Sequence, residues 1–509
     1  MPTVPAPTTG VPPEGQPMTD SPATARPLIA PGPPATAAYA RRVRAARQTR
    51  ADRSAAGKAA RAAMPLAAHA EISRGTRPDP VDLLQGQAAT RIPQLVPIRY
   101  GRMLATPFTF FRGAAQIMAA DLGSTPHSAL LVQLCGDAHL SNFGFYATPE
   151  RQQAFDINDF DETYPGPFEW DVKRLAASVA VASSVSEFSL PKIRKAVLAA
   201  VAGYREEISR LAGLGNLAVW YSHEDIAALL KQLRKKVGSS AEAEMNASLH
   251  KARYRDSADA LRKLTVTVDG QVQIKNDPPL IMPGEELLQA WGEDVSTWYG
   301  SLSKLINGYR RTLQSDRRRL LDQFSFVQFG FKVVGVGSVG TRAWIILLDG
   351  ADAADPLFLQ AKEAQRSVLA DYVTPATRFT NQGQRVVHGQ RLTQMTSDIF
   401  LGWQRVHGVD GQERDFYIRQ LRDGKGSVVV EALAPSAMAF YGRVCGQTLA
   451  RAHARSGDQV AIAGYLGASD AFDTAVADYA TEYVWQNEHD HAELRLAVDE
   501  GRVFAREGI

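Results

Sequence analysis

Cysteine is almost missing. Only Cys135 and Cys445 occur in 509 residues, which excludes a disulfide framework and argues against a zinc site built on cysteine pairs. Long apolar runs are missing too, and nothing approaches the ~20 residues that a membrane-spanning helix needs. The opening MPTVPAPTTGVPPEG has neither the basic start nor the apolar core of a signal peptide. A cytoplasmic protein with no membrane partner is therefore the expectation. A general basic excess is absent as well. Residues 1–62 hold nine Lys and Arg against three Asp and Glu, leaving 48 basic and 51 acidic residues for the remainder. Nucleic acid is thus not expected as a partner of the body, and stays open only for the basic leader.

The rest of the composition is that of an ordinary globular protein, 45% hydrophobic and 22% charged. Eleven of the 28 prolines fall in residues 1–36, a composition expected to stay disordered. ARRVRAARQTRADRSAAGKAARAA follows, with good helix propensity but no apolar stripe, and reads as a solvated helix or leader. The expected organisation is a leader over 1–76 and a helical lobe over 77–324. A β-rich lobe over 325–432 and C-terminal helices over 433–509 complete it.

Residues 130–162, LLVQLCGDAHLSNFGFYATPERQQAFDINDFDE, concentrate the polar chemistry. Asp137 and Asn142 are five apart, so one loop could offer a base and an amide oxygen to a metal. A polar turn whose Asp and Asn cap backbone N–H groups is the plainer alternative. Asp156, Asp159, Asp161 and Glu162 crowd the end of the next apolar segment. Like charges that close destabilise one another unless exposed or metal-bound. An EF-hand is excluded, because Asp161 stands where that loop needs Gly. Asp171 lies in the first turn of a predicted helix, where it also suits the dipole. Arg112, beside Phe108, Phe110 and Phe111, reads mainly as core packing, with anion binding the less favoured use.

A second concentration lies downstream in FVQFGFKVVGVGSVGTRAWIILLDG. Gly335, Gly337 and Gly340 make G-x-G-x-x-G, but a strand follows where a dinucleotide fold requires a helix. A Walker A loop fails at Thr341, which stands where Lys belongs. Strand, glycine turn and strand instead suit a cover over nucleotide phosphates, or a plain hairpin with a bulge. Lys362 lies on a short strand about twenty residues further on. A helix expected over 384–406 contains no Glu, with Gln394 and Asp398 the available partners for Lys362. RDFYIRQLRD and SVVVEAL are expected to finish a five-stranded lobe. His453 reads as a capping or core histidine.

The loop GDAHLSN and the later D-F resemble the GDxHxxN and I-D-F segments of the aminoglycoside and choline kinase branch of the kinase superfamily. At whole-chain level, roughly Pro80 to the end is similar to a bacterial family catalogued as domain of unknown function two-two-five-two, a name that supplies no activity. The resemblance implies an α+β, two-lobed, protein-kinase-like fold, circularly permuted, with additional N-terminal helices. It implies an ATP-dependent phosphotransferase acting on an unidentified small-molecule or protein hydroxyl. Asp137 and His139 would be catalytic, Asn142 and Asp159 would hold Mg²⁺, and Gly335, Gly337, Ser338, Gly340 and Lys362 would bind nucleotide. Asp171 looks like the residue that steadies the catalytic loop. Arg342, where Val is usual, and the helix without Glu depart from the pattern. They keep open a non-catalytic nucleotide-binding protein. A carboxylate-metal hydrolase using Asp137, His139 and Asp159 is the other alternative.

Overall fold

The computed structural model describes residues 48–72, 77–254, 257–290, 292, 294–333, 335–352, 354–373, 379–407, 411–421 and 424–508. The Pro-rich segment expected to be disordered lies outside them. The chain divides into two units, residues 1–49 and 50–509, and everything below concerns the second. The fold is mixed α+β. Among the described residues no helix is long and apolar enough to cross a membrane.

Ordered structure begins well before residue 77. Helix Arg50–Ala63 packs on helix Gln459–Leu466, with Arg53 Nε donating to both carboxylate oxygens of Asp458 at 2.9 and 2.8 Å. A Cβ on Gly57 would lie 1.9 Å from the Ala461 carbonyl oxygen. Small residues bring these backbones together. This is why the contact leaves no apolar stripe in the sequence.

Further helices lead to strands β1 (Leu131–Leu134), β2 (Phe143–Ala147), β3 (Gln153–Ile157) and β4 (Tyr164–Pro167). β1 pairs with β4, and β2 with β3, all antiparallel. The nesting sets two connections side by side: residues 135–142 between β1 and β2, and residues 158–163 between β3 and β4. Helix Phe168–Val185 follows, buried through nearly its whole length. With helices Leu190–Ala212, Pro435–Ser456 and Ala471–Asp499 it forms the larger core. Tyr441, Val444, Cys445, Thr448, Leu449 and Ala452 form a stripe of helix Pro435–Ser456 that is buried there.

The hairpin of β5 (Thr265–Val268) and β6 (Gln271–Ile274) turns at Asp269 and Gly270, both at positive φ, as an Asp-Gly turn requires. β7 (Ile281–Pro283), β8 (Ser325–Lys332), β9 (Ala343–Asp349), β10 (Pro356–Ala364), β11 (Gly402–His407) and β12 (Glu413–Gln420) make one antiparallel sheet in the order β11-β12-β10-β9-β8-β7. It has six strands, not the five expected. The helix expected over 384–406 stops at Thr393, a turn follows over 394–401, and β11 takes the rest. SVVVEAL is no strand of this sheet. Gly426–Ser427 forms β13, which pairs with β2, and Val430–Ala432 is a 3-10 turn. The β-branched run therefore lost to its tertiary surroundings. Much of the stretch expected in the helical lobe belongs here instead, since Leu302, Leu305 and Tyr309 pack with Phe329, Trp344 and Ile418 in a second core.

Candidate functional site

The loop over 135–142 is fixed from behind. Cys135 and Gly136 donate their N–H groups to the Asp171 carboxylate at 2.7 and 3.0 Å. His453 Nε2 stands 3.2 Å from the same carboxylate, and its Nδ1 is 2.9 Å from Tyr204 Oη. Asp171 thus steadies the loop, and His453 is buried in that network. Gly136 has φ +86°, and a Cβ there would fall 2.2 Å from the Glu162 carbonyl oxygen. Glycine is what lets the two connections touch. Asn158 N donates to Asn142 O at 2.8 Å across the same contact.

At the loop's front, Asp137 Oδ1 accepts from Arg174 Nε at 2.9 Å. Arg174 Nη2 lies 2.9 Å from that oxygen and also donates to Phe111 O, while its guanidinium lies 3.8 Å from the Phe111 ring centroid. His139 Nε2 is 3.6 Å from Asp137 Oδ2, beyond a hydrogen bond. Burial, then the charges of Arg112 and Arg174, push His139 well below the usual histidine range, so it is neutral. Asn142 donates its amide to Asp137 O at 2.9 Å, which leaves its side-chain oxygen as an acceptor.

The crowded acids are resolved one by one. Asp156 accepts from Ile157 N and Met395 N, both at 2.8 Å, and is absent from the cavity lining. Asp161 pairs with Lys362 and accepts from Tyr417 Oη at 2.7 Å and Ser338 Oγ at 3.2 Å. Burial pushes Asp161 up, but Lys362 and these bonds hold it below the usual range. Glu162 accepts from Val368 N at 2.8 Å, and burial pushes it up to about 7. Asp159 is raised by burial and then by Asp161, and among the described residues its Oδ1 accepts from Asp161 N alone, at 3.1 Å. Asp159 and Glu162 both border the cavity without a cationic hydrogen-bond partner among the described residues.

Lys362 sits on β10, a strand buried along its length, and is 3% exposed. Neither expected helix partner meets it. Gln394 donates to Ile157 O at 2.9 Å, and Asp398 accepts from the N–H groups of Phe400 and Gln420. The acid on Lys362 is Asp161. Helix Gln382–Thr393 contributes Arg385 instead, which donates to the carbonyls of Thr163, Asp161 and Gln365 at 2.6, 2.9 and 2.8 Å. Arg342 donates its N–H and its guanidinium to Glu363, both at 3.2 Å.

The front of the loop, the 158–163 connection, the glycine turn and β10 border one cavity of about 200 Å³. Asp137, His139, Asn142 and Asp159 line one side. Gly335, Gly337, Ser338 and Lys362 line the other. Gly340 does not reach it. At φ +90° it turns against Arg91, and its carbonyl accepts from Ile92 N, so its part is conformational. Asp161, Glu162, Arg112 and Arg419 also border the cavity. Arg419 stands two residues after Tyr417 on β12, where the period of a strand puts both on one face. Asp161 follows Asp159 at the same interval. Among the described residues, no group of three or more His, Cys, Asp or Glu is placed to hold a metal ion.

These features define a mixed α+β protein with a strongly polar cavity built from both cores. The chain belongs to the family described as uncharacterized protein conserved in bacteria, DUF2252, whose model matches residues 91–497 and so spans every residue lining the cavity except Gln87. Neither a curated protein nor a solved structure matches it.

Proposed function

We propose that this protein is an ATP-dependent phosphotransferase with a kinase-like centre whose parts occur in circularly permuted order. The observation that carries the reading is the convergence of Lys362 and the 335–338 turn with Asp137, Asn142 and Asp159. Some two hundred residues separate the two sets, and independent motifs would have no reason to share a cavity. Lys362 would bind the α- and β-phosphates on leaving Asp161, and the glycine turn would cover them. Asp137, held in orientation by Arg174 and backed by neutral His139, would align the acceptor hydroxyl. It would take that proton as the oxygen attacks the γ-phosphorus and ADP leaves.

Asn142 and Asp159 fit Mg²⁺, since each has an oxygen left over from protein hydrogen bonds. Two protein ligands with phosphate oxygens and water are a usual set for that ion. When bound, it neutralises charge on the phosphate oxygens.

The test is thermal stability with ATP and Mg²⁺. A ligand that binds only the folded state raises the midpoint. A clear rise in the wild type that Lys362→Ala mostly removes is expected. No rise with any nucleotide at millimolar concentration would reject the reading. A second reading, a nucleotide-binding protein without turnover, is favoured by the Arg174 pair on Asp137 and by the helix that offers Arg385 in place of Glu. Binding of ATP with no ADP formed against any acceptor, water included, would select it.

A further inference from the structure

Arg112 ends the short helix Pro107–Gly113 and borders the cavity beside Asp137 and His139. Its guanidinium makes no hydrogen bond or ion pair among the described residues, and Nε is buried without a partner. Glu431 and Asp137 act on its charge only through space. Two nearby charges have partners of their own: Asp137 has Arg174, and Lys362 has Asp161. Arg419 donates to Gln360 Oε1 at 3.3 Å and lies near Asp159 and Asp161. His139 is neutral. Arg112 therefore keeps a guanidinium without a bonded partner, among the described residues, on the Asp137 side.

A partly buried guanidinium without partners is costly, and its planar fork of donors matches the oxygens of a phosphate or carboxylate. The same residue touches the glycine turn, because a Cβ on Gly337 would stand 3.3 Å from the Arg112 carbonyl oxygen. An anion on Arg112 would thus lie between the turn and Asp137.

We propose that Arg112 seats a phosphate-like anion on the Asp137 side of the cavity. The anion is either the phosphoryl group in transfer or an anionic group carried by the acceptor. Naming these two sources rests on the phosphotransferase reading; the seat itself does not. Under the second source the acceptor is a phosphorylated or carboxylated hydroxy compound, because a neutral one would leave the guanidinium unpaired.

The experiment titrates the full chain calorimetrically with inorganic phosphate, MgADP and a non-hydrolysable MgATP analogue. Arg112→Gln should not lower the unliganded melting temperature, since the guanidinium bonds nothing among the described residues, and should weaken phosphate binding by roughly tenfold or more. Arg112→Lys keeps the charge without the fork and should recover part of that loss. If the seat serves the phosphoryl group in transfer, Arg112→Gln weakens the MgATP analogue but not MgADP, and phosphate competes with the analogue. If it serves the acceptor, both nucleotides bind the variant as they bind the wild type, and phosphate binds on top of the analogue. Equal phosphate binding by wild type and both variants overturns the proposal, as does a wild type that ignores phosphate at concentrations on the order of 10 mM. Phosphate binding lost in Arg112→Gln, in a protein that binds no nucleotide, would reject the phosphotransferase reading and leave the seat standing.

Discussion

The rear and the front of the 135–142 loop obey different rules. At the rear, Asp171 takes two backbone N–H groups and faces His453, Leu140 N donates to Ser178 Oγ at 2.8 Å, and Tyr441 Oη donates to the carbonyls of Leu140 and Phe143 at 3.0 and 3.1 Å. Polar groups there are buried with partners, as stable interiors require. At the front, Asp159 keeps an oxygen without a protein donor, and Arg112 and His139 keep buried nitrogens without partners. Groups held in that state cost stability, and a fold retains them where a ligand completes them. The difference separates acids that hold the chain from acids that face the cavity, although both kinds occur within residues 137–171.

The largest effect expected from breaking this contrast is Asp171→Ala. It strands two backbone N–H groups and His453 in the core, and should cost about 3–5 kcal/mol in chemical denaturation. Asp159→Asn should change stability by no more than about 1 kcal/mol, because an amide oxygen can still accept from Asp161 N and a buried charge is removed. A similar loss in both variants would erase the distinction between rear and front.

pH offers a finer separation. Glu162 is raised to about 7 from an ordinary 4.5. Between those values the folded state holds a proton that the unfolded chain releases, so this group's contribution to stability falls as pH rises through the window. Glu162→Gln should flatten that fall, and the variant should gain on the wild type toward pH 8. His69, buried against Tyr465 far from the cavity, is lowered to about 3 from 6.5 by burial and then by Lys173. There the unfolded chain takes up the proton first, so stability falls as pH drops from 6.5 toward 3. His69→Gln should weaken that acid slope and leave the Glu162 window unchanged. Urea midpoints across pH 4–8 would show both.

The rear was partly legible in the sequence, and so were the residues that line the front. Asp137, Asn142 and Asp159 carry a spacing that survives folding because each sits in a short connection between paired strands. Asp171 was placed by its position in a first helical turn. The partnerships were harder to read. The pair of Lys362 with Asp161 joins residues about two hundred apart, and its acid comes from the D-F-D segment itself instead of from a helix. The packing of helix Arg50–Ala63 escaped because Gly57 lets it lie against Ala461, and hydrophobic periodicity is blind to such a seam. β11 escaped because QRVVHGQRLTQMTSDIFLGWQRV reads as one helical stretch, although Asp398 caps a turn inside it and Gly402 opens the strand.

A double-mutant cycle on nucleotide binding tests most directly whether the two sides form one site. MgATP is titrated calorimetrically into the wild type, Lys362→Ala, Asp159→Asn and the double variant. Each single change should weaken binding at least about tenfold, and the double loss should fall short of their sum by about 1 kcal/mol or more, since both residues would grip the same phosphates. A wild type that does not bind MgATP, or losses that simply add, would contradict a shared nucleotide site.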